Sequence, residues 1–262
     1  MPASSLQDRV VNLVQTLQFA WFFGHVLTLL GSALHLLSLV TFRSATKPYT
    51  IAYVGALISY GVVIYKSHGK PQLNTRYAQR LVMDENVQYL LLALYWFLSK
   101  PISVTLVPYA TFSTFHALGY IRSNIIPTLF PVPPSTASSS GGNNNRPVTW
   151  QAKTQQGIKS WTDKNYDTAM RFVAQIEVVG IMGRLLLGVF RLQIMSIFLY
   201  AQFLRFRYHL SSYTRQAFTR LRLALDQVSQ DPRVPPVVGK AYVTVRDMIT
   251  RYGQAIVQQQ AR

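Results

Sequence analysis

The chain has 262 residues, of which 49% are hydrophobic and 13% are charged, about half the charged fraction of an average soluble domain, roughly 25%. Its 26 Lys and Arg against nine Asp and Glu give a formal net charge of +17. These cations flank apolar runs and accompany no zinc-finger or RNA-binding motif, so we assign them to an anionic membrane surface and predict no nucleic-acid partner. The absence of cysteine excludes disulfides, thiolate metal sites and cysteine catalysis.

The amino-terminal half begins with an amphipathic lead-in, predicted over residues 1–18, which enters a long apolar run. Residues 19–42 contain no charged side chain, and a helix of that length reaches roughly 36 Å, against about 30 Å for the hydrocarbon core. A second apolar run, 49–65, lies near the lower limit for spanning. The short link between the two runs predicts a tight helical hairpin. Small residues give it a close-approach face, at Ala52, Gly55, Ala56 and Ser59.

The transmembrane region as a whole is predicted to extend over 19–206. Its third apolar run, 87–121, is too long for one straight span and contains two prolines. We expect a half-length helix ending before Pro101, either re-entrant or continuous, and then a longer helix kinked at Pro108. Residues 127–148 form a low-complexity linker that cannot build a core. The last apolar run, 172–206, is interrupted by arginines.

Three charged residues in this last run, Glu177, Arg184 and Arg191, are spaced seven apart and predict one helical stripe. Charged side chains at membrane depth cost roughly 2.5–3.5 kcal/mol each and usually face a bundle interior or an interface. One interpretation is a polar path in a transporter or channel. The favoured alternative is an ion pair that holds two helices together, or a helix lying shallow in the bilayer.

Residues 207–262 form a basic tail with two predicted amphipathic helices, 211–230 and 237–258, separated by a proline-rich break. From residue 205 onward there are ten Lys or Arg and three Asp, so the positive-inside rule places the tail in the cytoplasm. With four membrane regions, the amino end and 66–85 are cytoplasmic and 122–171 is lumenal. We expect the tail to lie on the membrane surface or to pack on the protein's own helices. The predicted surface-binding residues are Arg215, Leu221, Arg222, Leu225, Val238, Lys240, Tyr242, Val245, Arg246, Met248, Ile249, Arg251, Tyr252 and Ile256.

The sequence offers no catalytic, cofactor-binding or metal-binding set. The five histidines show no pair at ligand spacing, and no nucleophile elbow or phosphate-binding loop is present. Asp84 and Glu85 precede an apolar helix and are expected to favour its amino end. A lipid-modifying enzyme built around His116 is an alternative, but no acid or metal site accompanies that histidine in the sequence. We therefore predict a protein that is not an enzyme and has no small-molecule substrate.

One stretch, residues 84–121, resembles the signature region of the transmembrane-protein-thirty-three family, also called Krüppel homologue two, whose fungal branch comprises pore-membrane nucleoporins. The matching features are an acidic pair, a "YLL" run, two prolines and the segment "FHALGY" at 115–120; a second match covers 198–225. Glu177 also falls where the family tends to carry an acid. The signature residues are Asp84, Glu85, Tyr89, Pro101, Pro108, His116 and Tyr120.

The resemblance implies a multi-pass protein of the endoplasmic reticulum membrane and nuclear envelope, without known catalysis. It implies association with reticulon-type tubule-shaping proteins and with nucleoporins, and a tail that binds membranes and engages an import receptor (a karyopherin). Together with the residue patterns, it predicts an all-α polytopic membrane protein with hairpin spans and cytoplasmic amphipathic tail helices. The predicted function is to shape or stabilise curved, anionic membrane and to support the distribution and assembly of nuclear pores. A pure docking scaffold for a karyopherin or nucleoporin is the remaining alternative.

Overall fold

The computed structural model describes residues 5–42, 46–131, 149–188 and 194–247, except 238 and 245, and all regular elements in these ranges are helical. The helices are α1 (Leu6–Val14), α2 (Leu17–Val40), α3 (Thr46–His68), α4 (Thr75–Val82), α5 (Glu85–Leu98), α6 (Leu106–Tyr120), α7 (Ile126–Leu129), α8 (Trp150–Gln175), α9 (Met182–Leu186), α10 (Ile194–Leu210) and α11 (Ser212–Gln230). A 3₁₀ turn, Ser103–Thr105, precedes α6. Single π-helical turns join α6 to α7 and α8 to α9, over Ile121–Ile125 and Ile176–Ile181.

Local sequence fixes where several helices begin. A side-chain oxygen just before the helix accepts a hydrogen bond from a first-turn amide, which otherwise has no intrahelical partner. This cap is present at Ser5, Thr16, Asn74, Asp84 and Thr149. Helix α3 ends at Gly69, whose φ of 68° is the left-handed conformation that glycine adopts without steric cost, and its amide donates to the Tyr65 carbonyl.

Helices α2 and α3 form a closely packed antiparallel hairpin, as the small residues predict. A methyl group on Gly31 would lie 2.5 Å from the Ala52 nitrogen, and one on Gly55 would lie 2.4 Å from the Gly24 oxygen. The two backbones therefore approach more closely than any side chain larger than hydrogen permits. The Thr28 hydroxyl lies 3.2 Å from the Ala52 carbonyl oxygen and adds an interhelical hydrogen bond.

Among the described residues, α2 and α3 are the two helices that are long and apolar enough to cross a membrane, with 24 and 23 residues. Much of their apolar surface faces outward, including Leu30, Leu34 and Leu37, each more than half exposed. In a helical membrane protein this surface contacts lipid chains. Helix α5, with 14 residues, reaches only about 21 Å, too short to cross the hydrocarbon core.

The third apolar run folds into a hairpin, so its two helices do not form one continuous span. Helix α5 ends at Leu98 before Pro101, as predicted, and the chain then reverses direction. The turn lies against the far part of α2, because Ser103 Oγ is 2.9 Å from His35 Nε2; α6 then returns toward the start of α2, where Ser113 Oγ is 2.9 Å from His25 Nδ1. Pro108 lies in the first turn of α6, where its missing amide hydrogen costs no intrahelical bond.

In the last apolar region, helix α8 continues through its π turn into α9. Helix α10 then packs antiparallel to α5, with Tyr95 bonded to Ser196 near one end of the pair and Glu85 bonded to Arg207 near the other. The rings of Phe130 and Trp150 are 4.8 Å apart, so both ends of the linker meet. That meeting point lies at the end of the bundle where α2 begins. This arrangement differs from the prediction of four membrane regions, which treated 87–121 as one crossing. Helices α5 and α6 together return the chain to the end of the bundle where α2 begins.

Residues from 215 onward form a second compact unit. Within it, α11 is followed by a turn at 231–235 and by further helical residues, 236–237, 239–244 and 246–247. These two helical segments are antiparallel, because the hydroxyl of Tyr242 donates to Asp226 Oδ1 at 2.7 Å. The proline-rich break predicted between two tail helices therefore corresponds to the bend of a helical hairpin.

Candidate functional site

A buried ion pair joins three elements of the bundle. Glu177, in the π turn after α8, is 1% exposed and lies 3.7 Å from Arg207 Nε on α10. The hydroxyl of Tyr89 on α5 donates to the same carboxylate, and a second nitrogen of Arg207 donates to Glu85 at 2.6 Å. The guanidinium therefore bridges one fully buried and one half-exposed carboxylate, which satisfies charges that would otherwise be costly in a low-dielectric interior.

Tyrosines surround this ion pair, in which Glu177 Oε2 and Arg207 Nε are buried without a hydrogen-bond partner among the described residues. Tyr200 donates to the backbone oxygen of Glu177 at 3.0 Å, and Tyr109 donates to that of Tyr89 at 2.9 Å. The Arg207 guanidinium also lies 5.3 Å from the centre of the Tyr89 ring, at cation–π distance. The Glu177 carboxylate is thus held by the Tyr89 hydroxyl and the charge of Arg207 and is shielded from water, an arrangement suited to joining helices.

The stripe predicted from the spacing of Glu177, Arg184 and Arg191 does not bring Glu177 and Arg184 together. Glu177 faces the bundle interior, whereas Arg184 is exposed and lines a surface cleft, and Arg191 lies outside the described residues. The π turn between the first two residues adds a wider turn to the helix, so a spacing of seven no longer returns to the same face. Sequence alone did not identify Arg207 as the partner of Glu177, because Arg207 follows the apolar run and is assigned to the basic tail as its first residue.

The signature residues concentrate on the α5–α6 hairpin and its contacts. Asp84 caps α5 and lies 2.7 Å from His68 Nε2. Burial opposes ionisation of Asp84, but the hydrogen bonds from His68 and from backbone amides of the first turn hold the pKa of this carboxyl below its ordinary value. Glu85 and Tyr89 bind the ion pair described above, Pro101 lies in the turn, and Tyr120 stacks on Phe22 with ring centres 4.6 Å apart.

His116 lies in an aromatic cluster between α2 and α6. Its ring centre is 4.8 Å from that of His25 and 5.2 Å from that of Trp21. The fold thus brings together two histidines that are far apart in the sequence. Within the described ranges no group of three or more His, Asp or Glu side chains could hold a metal ion.

The tail hairpin is organised around Asp226. Besides Tyr242, this carboxylate is 3.3 Å from Arg246, which also pairs with Asp247 at 3.1 Å, and 3.6 Å from Arg222. The hydrogen bond from Tyr242, followed by the arginines, lowers the pKa of Asp226, and the same bond raises the pKa of Tyr242. Tyr242 and Arg246, predicted as membrane contacts, thus direct polar atoms into the hairpin.

The other predicted surface residues fall into two groups. In the described part of the tail, Arg215, Arg222, Leu225 and Lys240 are exposed, and Leu221 is half-buried. The side chains of the remaining residues lie outside the described set, namely Val238, Val245, Met248, Ile249, Arg251, Tyr252 and Ile256. Leu221, Leu225 and Val228 continue one stripe along α11, and Leu225 and Val228 are 41% and 54% exposed.

Comparison with known proteins identifies the family. The family model described as "Transmembrane protein 33/Nucleoporin POM33" matches residues 3–255. Tetra-spanning protein 1 of Schizosaccharomyces pombe is 33% identical over 262 residues, covering 96% of this chain and 90% of the relative. Nucleoporin POM33 of Chaetomium thermophilum is 34% identical, with 92% and 87% covered. Transmembrane protein 33 of Homo sapiens is 22% identical, with 97% and 95% covered.

No solved structure shows significant similarity to the chain. The names of the three relatives above describe membrane proteins and a nucleoporin, not enzymes. The resemblance seen in residues 84–121 and 198–225 thus extends over nearly the whole sequence, and the described residues have the helical architecture expected of a membrane protein. The chain belongs to the Transmembrane protein 33/Nucleoporin POM33 family.

Proposed function

We propose that this protein is an integral membrane protein of the endoplasmic reticulum and nuclear pore membrane whose tail binds and stabilises curved, anionic bilayer. The α2–α3 hairpin anchors the chain, and the tail lies on the cytoplasmic leaflet. The observation that carries this proposal is the apolar stripe of the described tail, where Leu225 and Val228 remain exposed although the tail has folded into a hairpin. Arg215 and Arg222 flank that stripe and are themselves exposed.

The energetics favour a surface position. Each Lys or Arg close to an anionic leaflet contributes about 1 kcal/mol, and burying an apolar side chain contributes about 1.5–3 kcal/mol when burial is complete. Immersion of the stripe to the depth of the headgroups gains part of the second contribution. A helix at that depth displaces headgroups more than acyl chains, so it favours a bilayer whose outer leaflet is expanded by curvature.

The relatives' names supply the cellular setting of the proposal. One relative is named as a nucleoporin, and another, from Saccharomyces cerevisiae, is named "Pore and endoplasmic reticulum protein of 33 kDa". We extend both locations to this protein. Its proposed protein partners are nucleoporins, reticulon-type shaping proteins and a karyopherin that engages the basic tail.

The hairpin order of the helices leads to a proposal on sidedness. Several segments meet at one end of the bundle: the start of α2, residues 66–85, both ends of the linker at 130 and 149, and the end of α10. A cytoplasmic tail therefore places the 132–148 linker in the cytoplasm, and not in the lumen as the prediction of four membrane regions requires. Because the chain has no cysteine, one cysteine introduced at Ser139 reports this directly. A membrane-impermeant maleimide applied to sealed microsomes must label it without detergent.

The tail proposal is tested with the full-length protein in liposomes. An environment-sensitive fluorophore is attached to Leu225→Cys in the apolar stripe, and to Gln227→Cys on the opposite face as the matched control. On anionic liposomes about 50 nm across, we expect a blue shift at position 225 that is absent at 227, because only the stripe enters the headgroup layer. The shift must weaken on neutral liposomes and on anionic liposomes of several hundred nanometres.

The two results separate parts of the proposal. Equal spectra at positions 225 and 227 on every liposome would exclude surface insertion of the stripe. A shift at 225 that depends on anionic lipid but not on liposome size would retain membrane binding and remove the preference for curvature.

A further inference from the structure

A cleft of about 340 Å³ opens where α5 ends and the α5–α6 hairpin turns. Its walls include Trp96, Ser99 and Lys100 from the end of α5, Arg184 from α9 and Ser196 from α10. None of the residues that line the cleft belongs to the Glu177–Arg207 ion pair. Two of its lining residues are cations, and none of the described lining residues is an acid.

The polar groups of the cleft require an anion that the protein does not itself provide. Lys100 and Arg184 are both exposed, and no acid among the described residues forms an ion pair with either. The two serine hydroxyls are engaged with Tyr95, Ser99 with its carbonyl at 2.6 Å and Ser196 with its hydroxyl at 2.5 Å. The indole nitrogen of Trp96 is buried and has no hydrogen-bond acceptor in the described structure.

The cleft lies at the depth of lipid headgroups. Ser103, which follows the turn, contacts His35, and α2 continues from there for five residues to Val40, about 8 Å at 1.5 Å per residue. The turn is therefore close to the far end of a helix that crosses the bilayer. Lys, Arg and Trp are the side chains that concentrate at such an interface, where lipid phosphates lie.

Exposed apolar side chains continue from the cleft into the surrounding bilayer. Leu98, the last residue of α5 and two positions before Lys100, is 74% exposed, and Leu187, just after α9, is 72% exposed. A free inorganic anion makes no use of these side chains, whereas the acyl chains of a lipid would cover them. We propose that the cleft binds the phosphate group of an anionic phospholipid, held by Lys100 and Arg184.

The test uses the full-length protein in neutral detergent and counts bound lipid by native mass spectrometry. Dioleoyl phosphatidic acid is titrated first. Dioleoylglycerol, which has the same acyl chains without the phosphate, and inorganic phosphate are titrated separately. The main variant is Lys100→Gln with Arg184→Gln. The matched control is Arg76→Gln with Arg80→Gln, which removes two exposed cations from α4.

We expect the first phosphatidic acid molecule to bind at least about tenfold more weakly to the main variant, because two charge-assisted bonds are lost. The α4 control is expected to stay within about twofold of the parent protein, since it leaves the cleft intact. The parent protein should retain neither dioleoylglycerol nor inorganic phosphate at the same concentration.

Three results would each overturn the proposal. Equal weakening in both double variants would show general attraction to positive charge. Equal retention of dioleoylglycerol would show that the phosphate is not recognised. Retention of inorganic phosphate as strong as that of phosphatidic acid would assign the cleft to a soluble anion.

Discussion

Replacing Arg207 by Met removes the cation from the buried ion pair and leaves the Glu177 carboxylate in place. That carboxylate is 1% exposed and keeps only the hydroxyl of Tyr89 as a side-chain donor. Removing one partner of a buried ion pair costs about 3–5 kcal/mol. Glu85 also loses its partner, but its side chain is 46% exposed, so this second loss adds at most about 1 kcal/mol. The unfolding equilibrium should shift by two to four orders of magnitude, since about 1.4 kcal/mol corresponds to a factor of ten.

The free energy of unfolding is measured by titrating the protein from mild detergent micelles into SDS and following helix content and tryptophan fluorescence. Arg205→Met is the matched control, because it removes an exposed cation from the same helix, and we expect a change of about 0.5 kcal/mol or less. Combining Arg207→Met with Glu177→Gln should recover part of the loss, since a neutral amide is less costly to bury. A change below about 1 kcal/mol in Arg207→Met, or a double variant as unstable as the sum of its parts, would refute the role assigned to the pair.

Three further predictions use related measurements. Gly31→Ala should destabilise the α2–α3 hairpin by about 1–3 kcal/mol through overpacking. In the control Gly61→Ala, the added methyl group meets no atom within 4 Å, so this change should stabilise α3 by about 0.5–1 kcal/mol. Equal effects of the two substitutions on the free energy of unfolding would contradict the close-packed face. Asp84→Ala should cost about 1 kcal/mol as a lost cap. Because folding lowers the pKa of Asp84 below 3.8, its contribution is complete above pH 3.8 and disappears as the pH falls through the lower folded-state value, so parent and variant should then converge. Asp226→Asn should open the tail hairpin, which spin labels on its two helical segments would detect as a longer distance; an unchanged distance would remove Asp226 as its organising residue.

Two parts of the described helical bundle bear on the proposed preference for curved membrane. Helices α2 and α3 are long enough to cross the bilayer and pack with their backbones in close contact. Helix α5 is too short to span the hydrocarbon core before the α5–α6 hairpin turns back. Surface binding by the tail would act in the same direction, on the cytoplasmic leaflet. The three segments can be separated experimentally, because each depends on different residues: the glycines of α2 and α3, the turn after α5, and the apolar stripe of α11.

Sequence by itself determined the features that depend on local pattern. Length and absence of charge over 19–42 determine a membrane helix, small residues at 52–59 predict close helix contact, and Pro101 predicts the end of the half-length helix. Capping residues such as Asp84 also act within one turn of their own position. Each of these inferences needs only neighbours along the chain, which the printed sequence supplies.

Tertiary structure decided which distant groups meet. Glu177 pairs with Arg207, thirty positions away, and with Tyr89, eighty-eight positions away, whereas the spacing of seven to Arg184 was misleading because a π turn changes the helical register. Sequence alone also could not show that the third apolar run folds into a hairpin, because that hairpin depends on contacts with His25 and His35 of α2. Periodicity shows that a face is buried, but the identity of the opposing residue depends on how helices cross, and that is set by packing over the whole bundle.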